Sequence, residues 1–178
     1  MRIKRYDQFL TESGQYKFGC VMVEVPVSNW EEICSSIDPQ DIYEVEGDQS
    51  YGIQENPHVT ILYGLHEGVT TNQVKQAFEG FDGRMEIEID GIGIFENKDF
   101  DVVKFDVVPT ESLQRLHDAL SELPNSNEYP EYKPHITIAY VRKGCGKKYE
   151  DPSYKHEVDN VDSVCYSLPN GSKEYFSV

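Results

Sequence analysis

Two stretches of eight residues constrain this chain more than anything else in it. "PHVTILYG" at 57–64 and "PHITIAYV" at 134–141 place Pro, His, Thr, Ile and Tyr in the same order, 77 residues apart. No short-period repeat accompanies them, so they do not mark a solenoid. Each is β-branched and aromatic and is entered through a proline, as a strand would be. Side chains alternate along a strand, so His58 and Thr60 share one face, as do His135 and Thr137. Val59, Ile61, Tyr63 and Ile136, Ile138, Tyr140 are expected on the opposite, core face, which makes the repeated tyrosine structural rather than catalytic.

The intervening sequence is doubled in kind. A strand at 17–26 precedes a helix at 28–38, with Ser28 or Asn29 as its N-cap. Segment 39–56, acidic and polar, reads as a loop. A helix at 70–81 carries Val74, Ala77, Phe78 and Phe81 at offsets 0, 3, 4 and 7. Strands at 84–97 and 100–109 follow, then a helix at 110–125 with Leu113, Leu116, Leu120 and Leu123 on one stripe and Pro124 at its end. The strand around His135 comes next, and residues 161–178 close the chain as a hairpin turning at Pro169-Asn170-Gly171. The order β α β α β β α β β β, in which both histidine strands follow a helix, predicts an α+β fold of two similar lobes, each a sheet with helices outside. Residues 1–15 read as an N-terminal extension and 16–178 as one bilobal domain, since no linker rich in Pro, Gly or Ser divides them. If a pseudo-two-fold axis relates the lobes, both His-Thr pairs meet across one cleft.

Two imidazoles across a cleft can act as base and acid around a phosphorus centre. The threonine hydroxyls can hold non-bridging phosphate oxygens as charge develops. No metal is required, and carboxylates that could complete a metal site are absent from the same strand faces. His66 and His156 fall in expected loops, and His117 lies on a helix face; all three read as ordinary surface residues. Cys20, Cys34, Cys145 and Cys165 show no paired or metal-type spacing and read as reduced thiols.

Charge narrows the partner. The net charge of −16 disfavours long nucleic acid, whose binding depends on neutralising many phosphates. Cations nevertheless concentrate locally: Lys133, Arg142, Lys143, Lys147, Lys148 and Lys155 are 6 of the 16 Lys and Arg. Each alone reads as a solvated loop residue; together they could steer a small anion. Tyr16, Tyr166, Tyr175 and Phe176 are candidates to stack on bases, with plain packing as the alternative for each. No run of about 18 apolar residues marks a membrane span, and the basic start lacks the apolar core of a secretory signal, so a cytoplasmic protein is expected.

Paired H-x-T-x motifs in two halves of a chain of this size resemble the 2H phosphoesterase superfamily, over residues 16–178. The resemblance implies a bilobal fold of antiparallel-rich sheets around a central cleft, and a metal-independent phosphodiesterase without a cofactor. His58, Thr60, His135 and Thr137 match its catalytic motif residue by residue. "HVTILYGLH" and "HITIAYVRKGCGKKY" look most like the tailed-phage branch, anti-CBASS enzymes that degrade cyclic oligonucleotide signals. The LigT-like RNA 2′,3′-cyclic phosphodiesterases are the near alternative; they usually carry more Arg and Lys around the cleft. "MRIKRYDQFLTE" resembles the head-targeting peptides of large tailed phages. A nucleotide-binding sponge and a packaged phage protein remain as non-enzymatic readings.

Overall fold

The structure, a computed structural model, describes residues 18–48, 50–81 and 85–178. The expected extension at 1–15 and Tyr16 lie outside these residues.

Among the described residues the chain forms β1 (Gly19–Glu24), α1 (Trp30–Ser35), β2 (His58–Leu65), α2 (Thr71–Ala77), β3 (Met85–Glu96), β4 (Phe100–Val107), α3 (Glu111–Ser121), β5 (His135–Arg142), β6 (Asp151–Val161), β7 (Ser163–Ser167) and β8 (Lys173–Ser177). They make two antiparallel four-stranded sheets, ordered β2-β1-β7-β8 and β5-β4-β3-β6. Each histidine strand is thus the edge of its sheet, paired to the strand that begins its own β-α-β unit, and the two edges lie against each other. The α+β fold of two similar lobes expected from the sequence is the fold observed.

The helices form where their caps place them. Thr70 and Gln73 make a reciprocal capping box at α2, and the Thr110 hydroxyl accepts from Leu113 N at α3. Leu113, Leu116 and Leu120 are fully buried, as their stripe requires. Asn29 stands at the N-cap of α1, but its side chain makes no capping bond.

One strand was not expected. β6, "DPSYKHEVDNV", falls where the sequence reads as a loop, and it takes His156 out of that loop into a strand. It is the edge opposite β5 and is largely exposed, so it shows no apolar alternation; Pro152 is tolerated because an edge strand leaves N–H groups unpaired.

The two units exchange their connections. After α1 the chain crosses to the other lobe and runs along the free edge of β5: Tyr43 N donates to Tyr140 O, Tyr140 N to Gly52 O and Gln54 N to Ile138 O, at 2.9 Å each. After α3 it crosses back and runs along β2, with Ser126 N to Gly64 O and His66 N to Pro124 O, also 2.9 Å. Both histidine strands therefore have their outer backbone groups satisfied by the opposite lobe, which removes two edges that would otherwise pair promiscuously.

Candidate active site

The motif strands share a second irregularity. Thr60 faces Met22 and Leu62 faces Val21, which leaves Ile61 as an extra residue. Thr137 faces Lys104 and Ala139 faces Val103, which leaves Ile138 extra at the same motif position. Both are bulges, and both interrupt the alternation. Val59, Ile61 and Leu62 are buried, as are Ile136, Ile138 and Ala139, and the next residue in the core after the bulge is Leu62 or Ala139, not the tyrosine. Tyr63 and Tyr140, expected in the core, are only half-buried. They still serve packing: Tyr140 meets Tyr51 and Phe100 edge-on, at 5.8 and 5.7 Å between ring centroids, and Tyr63 meets Phe18 at 6.0 Å.

Before the bulges the alternation holds, and His58, Thr60, His135 and Thr137 are all half-buried beside fully buried neighbours. The two imidazoles are held identically. His58 Nδ1–H donates to Asn56 O at 2.9 Å, and His135 Nδ1–H donates to Lys133 O at 3.0 Å. Each bond reaches two residues back, across the motif proline. It fixes the ring and the tautomer and leaves Nε2 with the free lone pair. The rings are near enough for the charge of one to oppose that of the other. Burial is the main force on both and lowers both proton affinities.

A stability signature follows. A histidine whose folded pKa lies below its usual 6.5 makes the folded state bind fewer protons than the unfolded chain. The contribution is whole above pH 6.5 and is lost as pH falls through the folded values. The melting temperature should drop on acidification below about pH 6.5, and the slope should flatten in a His58→Ala/His135→Ala double variant. An unchanged slope would place the titrating groups elsewhere.

The strands beside the histidines repeat one another as well. On β1, Glu24 faces His58 and Met22 faces Thr60; on β4, Asp106 faces His135 and Lys104 faces Thr137. Next to His58 lies a cavity of about 650 Å³, lined among others by Glu24, Glu44, Tyr51, Asn56, Lys173 and Tyr175. That volume suits a nucleotide-sized ligand. Cys165 lines this cavity beside Tyr175, and Cys20 is buried beside Thr60; burial pushes the Cys20 thiol up to about 12 and raises that of Cys165, so neither offers a thiolate nucleophile at neutral pH.

Of the other sequence candidates, Lys133 meets a histidine through its carbonyl and not its ammonium. Lys133 pairs with Glu131 at 3.1 Å, Lys143 with Asp101 at 3.0 Å, Lys148 with Asp41 and Lys155 with Asp90. Arg142 and Lys147 are exposed, and Arg142 ends the strand that His135 begins, about 20 Å away at the rise of a strand. The expected basic patch is therefore divided: Lys143 and Lys148 pair with acids at the Arg142 end, while Lys133 and Lys155 stand at the His135 end with their ammonium groups turned to Glu131 and Asp90. The buried Asp101 carboxylate organises the Arg142 end by accepting from Gly144 N and Gly146 N.

Tyr166 is fully buried and its hydroxyl donates to Val69 O at 2.9 Å, so it cannot stack on a base. Phe176 packs edge-on against Phe78 at 5.4 Å. Tyr175, with 56 % of its surface exposed, is the aromatic residue of the hairpin that reaches the cavity. His117 is no plain surface residue: it stacks on Tyr132 at 4.4 Å, and the Tyr132 hydroxyl donates to Thr60 O at 3.2 Å.

Sequence reasoning passed over Lys104, Lys173, Glu24 and Asp106. Lys104 carried a usable signal, a lone lysine inside the apolar strand "FDVVKFDVV". No group of His, Cys, Asp and Glu side chains suited to a metal ion occurs among the described residues, and none of their helices is long and apolar enough to cross a membrane.

A family model described as the 2′-5′ RNA ligase superfamily matches residues 25–144. No curated protein sequence matches the chain. Among solved structures, the fold is similar to Kluyveromyces marxianus Usb1, with a TM-score of 0.61 at 8 % identity over 91 % of this chain and 98 % of that one. It is also similar to E. coli LigT complexed with 3′-AMP, with a TM-score of 0.58 at 12 % identity over 91 % and 95 %. The MHV ns2 PDE domain gives 0.51 at 13 % identity over 91 % and 99 %.

Proposed function

The chain belongs to the 2′-5′ RNA ligase superfamily of 2H phosphoesterases and is a phosphodiesterase, and from that premise we propose that it opens 3′,5′-linked cyclic di- or trinucleotides. The pair of imidazoles, each pinned through Nδ1 with Nε2 left free, carries this reading. One Nε2 removes the proton from a ribose 2′-hydroxyl, whose oxygen attacks the adjacent phosphorus. The other gives a proton to the departing 5′-oxygen. Thr60 and Thr137 hold the non-bridging oxygens. Water then opens the resulting 2′,3′-cyclic phosphate with the two roles exchanged.

Charge and size support a compact substrate. The cations beside the histidines are Lys104 and Lys173, one for each, on a body of net charge −16. Such a site neutralises at most two phosphates and gives a long strand no track to follow. Resemblance of the motif strands to the tailed-phage branch supports a reaction in the host cytoplasm, where it would remove the cyclic signal of CBASS defence. The family description favours one second reading, RNA 2′,3′-cyclic ends or 2′–5′ linkages as substrate.

Mass spectrometry of products from a panel of cyclic dinucleotides, cyclic trinucleotides, 2′–5′ oligonucleotides and RNA 2′,3′-cyclic ends, with EDTA present, decides between them. The expected result is opening of the ribo cyclic compounds, undiminished by chelator. Turnover confined to the RNA ends establishes the second reading. Loss in EDTA with rescue by a divalent cation defeats the two-histidine mechanism. Tight binding without turnover makes the protein a sponge.

A further inference from the structure

His58 and His135 share a backbone setting and differ in the charge beside them. Next to His135, Lys104 is only 4 % exposed, although it lies in a strand whose other face is core. Its ammonium is held in place twice, by the Asp106 carboxylate and by the face of Phe95, 4.5 Å from the ring centroid. Phe95 in turn stands edge-on to the His135 ring at 5.0 Å and 90°. Space for this arrangement comes from Gly93, which pairs with Lys104: a Cβ there would run into the Asp106 carboxylate and stand 3.1 Å from Lys104 Nζ.

We propose that Lys104 is a positioning residue that keeps His135 unprotonated, making His135 the general base toward the attacking hydroxyl and His58 the general acid toward the leaving oxygen. This rests on the phosphodiesterase reading above and assigns roles within it.

Burial decides which charges count. The groups facing His135 are Lys104 and Asp106 on β4, uncharged Phe95 on β3 and His58 across the cleft; Lys133 supplies a carbonyl and turns its ammonium to Glu131. Of the two charges on β4, the ammonium is enclosed, whereas half of the Asp106 side chain is in water. Solvent screens the exposed partner more than the buried one. The net field at His135 therefore opposes an imidazolium. Around His58 the exposures of cation and acid are reversed. Lys173 lies exposed on the edge strand β8, while Glu24 is half-buried and its carboxylate accepts from Ser163 Oγ at 3.0 Å. Glu44 and Glu55 add negative charge along the cavity wall. Burial lowers both histidines; at His58 the Asn56 carbonyl and then Glu24 oppose it, and a bound phosphate adds negative charge beside them.

The chemical step then balances. His135 Nε2 accepts the 2′-hydroxyl proton as the 2′-oxygen bonds to phosphorus. The phosphorus–O5′ bond breaks, and O5′ takes the Nε2 proton of His58.

A sulfur leaving group separates acid from base, because a thiolate departs without being protonated. Wild type, His58→Ala and His135→Ala are compared on a ribo cyclic dinucleotide and on its 5′-bridging phosphorothiolate. The expected result is recovery of His58→Ala to within about tenfold of wild type on the sulfur compound, with His135→Ala still down by about 10²–10⁴-fold. Recovery of His135→Ala, of both or of neither overturns the assignment. A wild type that cleaves neither compound refutes the underlying reading instead, and the assignment with it.

The part played by Lys104 is read from pH. On the sulfur compound the acid limb of kcat/KM reports the base. It should move to higher pH in Lys104→Met and stay in place in Lys104→Arg. An unmoved limb in Lys104→Met overturns the role of Lys104. Should Lys104→Met fail to fold because Asp106 is left unpaired, Lys104→Met/Asp106→Asn removes both charges and gives the same readout.

Discussion

His58→Ala and His135→Ala should each reduce turnover of a cyclic dinucleotide by about 10²–10⁴-fold, the usual loss for a missing acid or base. Both variants should stay folded. Each imidazole is half-buried at the mouth of its strand and contributes one hydrogen bond, to Asn56 O or Lys133 O, and the motif proline still directs the chain without it. The core side of both strands is unaffected, since Val59, Ile61, Ile136 and Ile138 keep every contact there. Circular dichroism and a melt confirm folding, and initial rates give the loss. Because the two groups act in one step, the double variant should be little worse than either single one. A folded single variant within a few-fold of wild type would sink the mechanism.

The second large effect lies in the substrate. Replacing ribose by 2′-deoxyribose at the scissile position removes the nucleophile itself. Cleavage should fall below detection while binding stays near that of the ribo compound, because Thr60 and Thr137 hold phosphate and not the 2′-oxygen. The ribo compound should yield a 2′,3′-cyclic phosphate or a monophosphate on the 3′ side. Efficient opening of the deoxy compound, or a product bearing 5′-phosphate, shows that water attacks directly. A titration over salt belongs beside this comparison. A compact dianion or trianion gives a shallow dependence, whereas single-stranded RNA adds about 0.7 log units for each phosphate neutralised.

Much of the fold was legible because it is written in local signals. Thr70 with Gln73, and Thr110 before its leucine stripe, mark helix starts within a few residues of where α2 and α3 begin. The doubled H-x-T shows that two strands present the same chemistry, and the order of elements around them shows two lobes. β6 was not legible, for the same physical reason in reverse: an exposed edge strand buries little, so its sequence keeps no period of two. The basic cluster was legible only as composition. Its lysines find carboxylates at Asp41, Asp90, Asp101 and Glu131, three of which are distant in sequence and near only once the sheets form.

Local sequence determined which residues are the candidates to carry the chemistry; pairing between strands decided what stands beside them. Along β7 and β8 the sequence offers Tyr166, Tyr175 and Phe176 on equal terms. Register separates them: Tyr166 pairs with Val21 and Phe176 with Val164, on the core side, whereas Cys165 pairs with Met22 and Tyr175, on the side of Thr60 and the cavity. A slip of one residue would exchange the two sets. The same rule places Lys104 opposite Thr137 and Asp106 opposite His135. It also fixes the bulges at Ile61 and Ile138, since an extra residue exists only relative to a partner strand. A strand's own alternation says that two faces exist, and only its hydrogen-bonded neighbours say which groups share each of them.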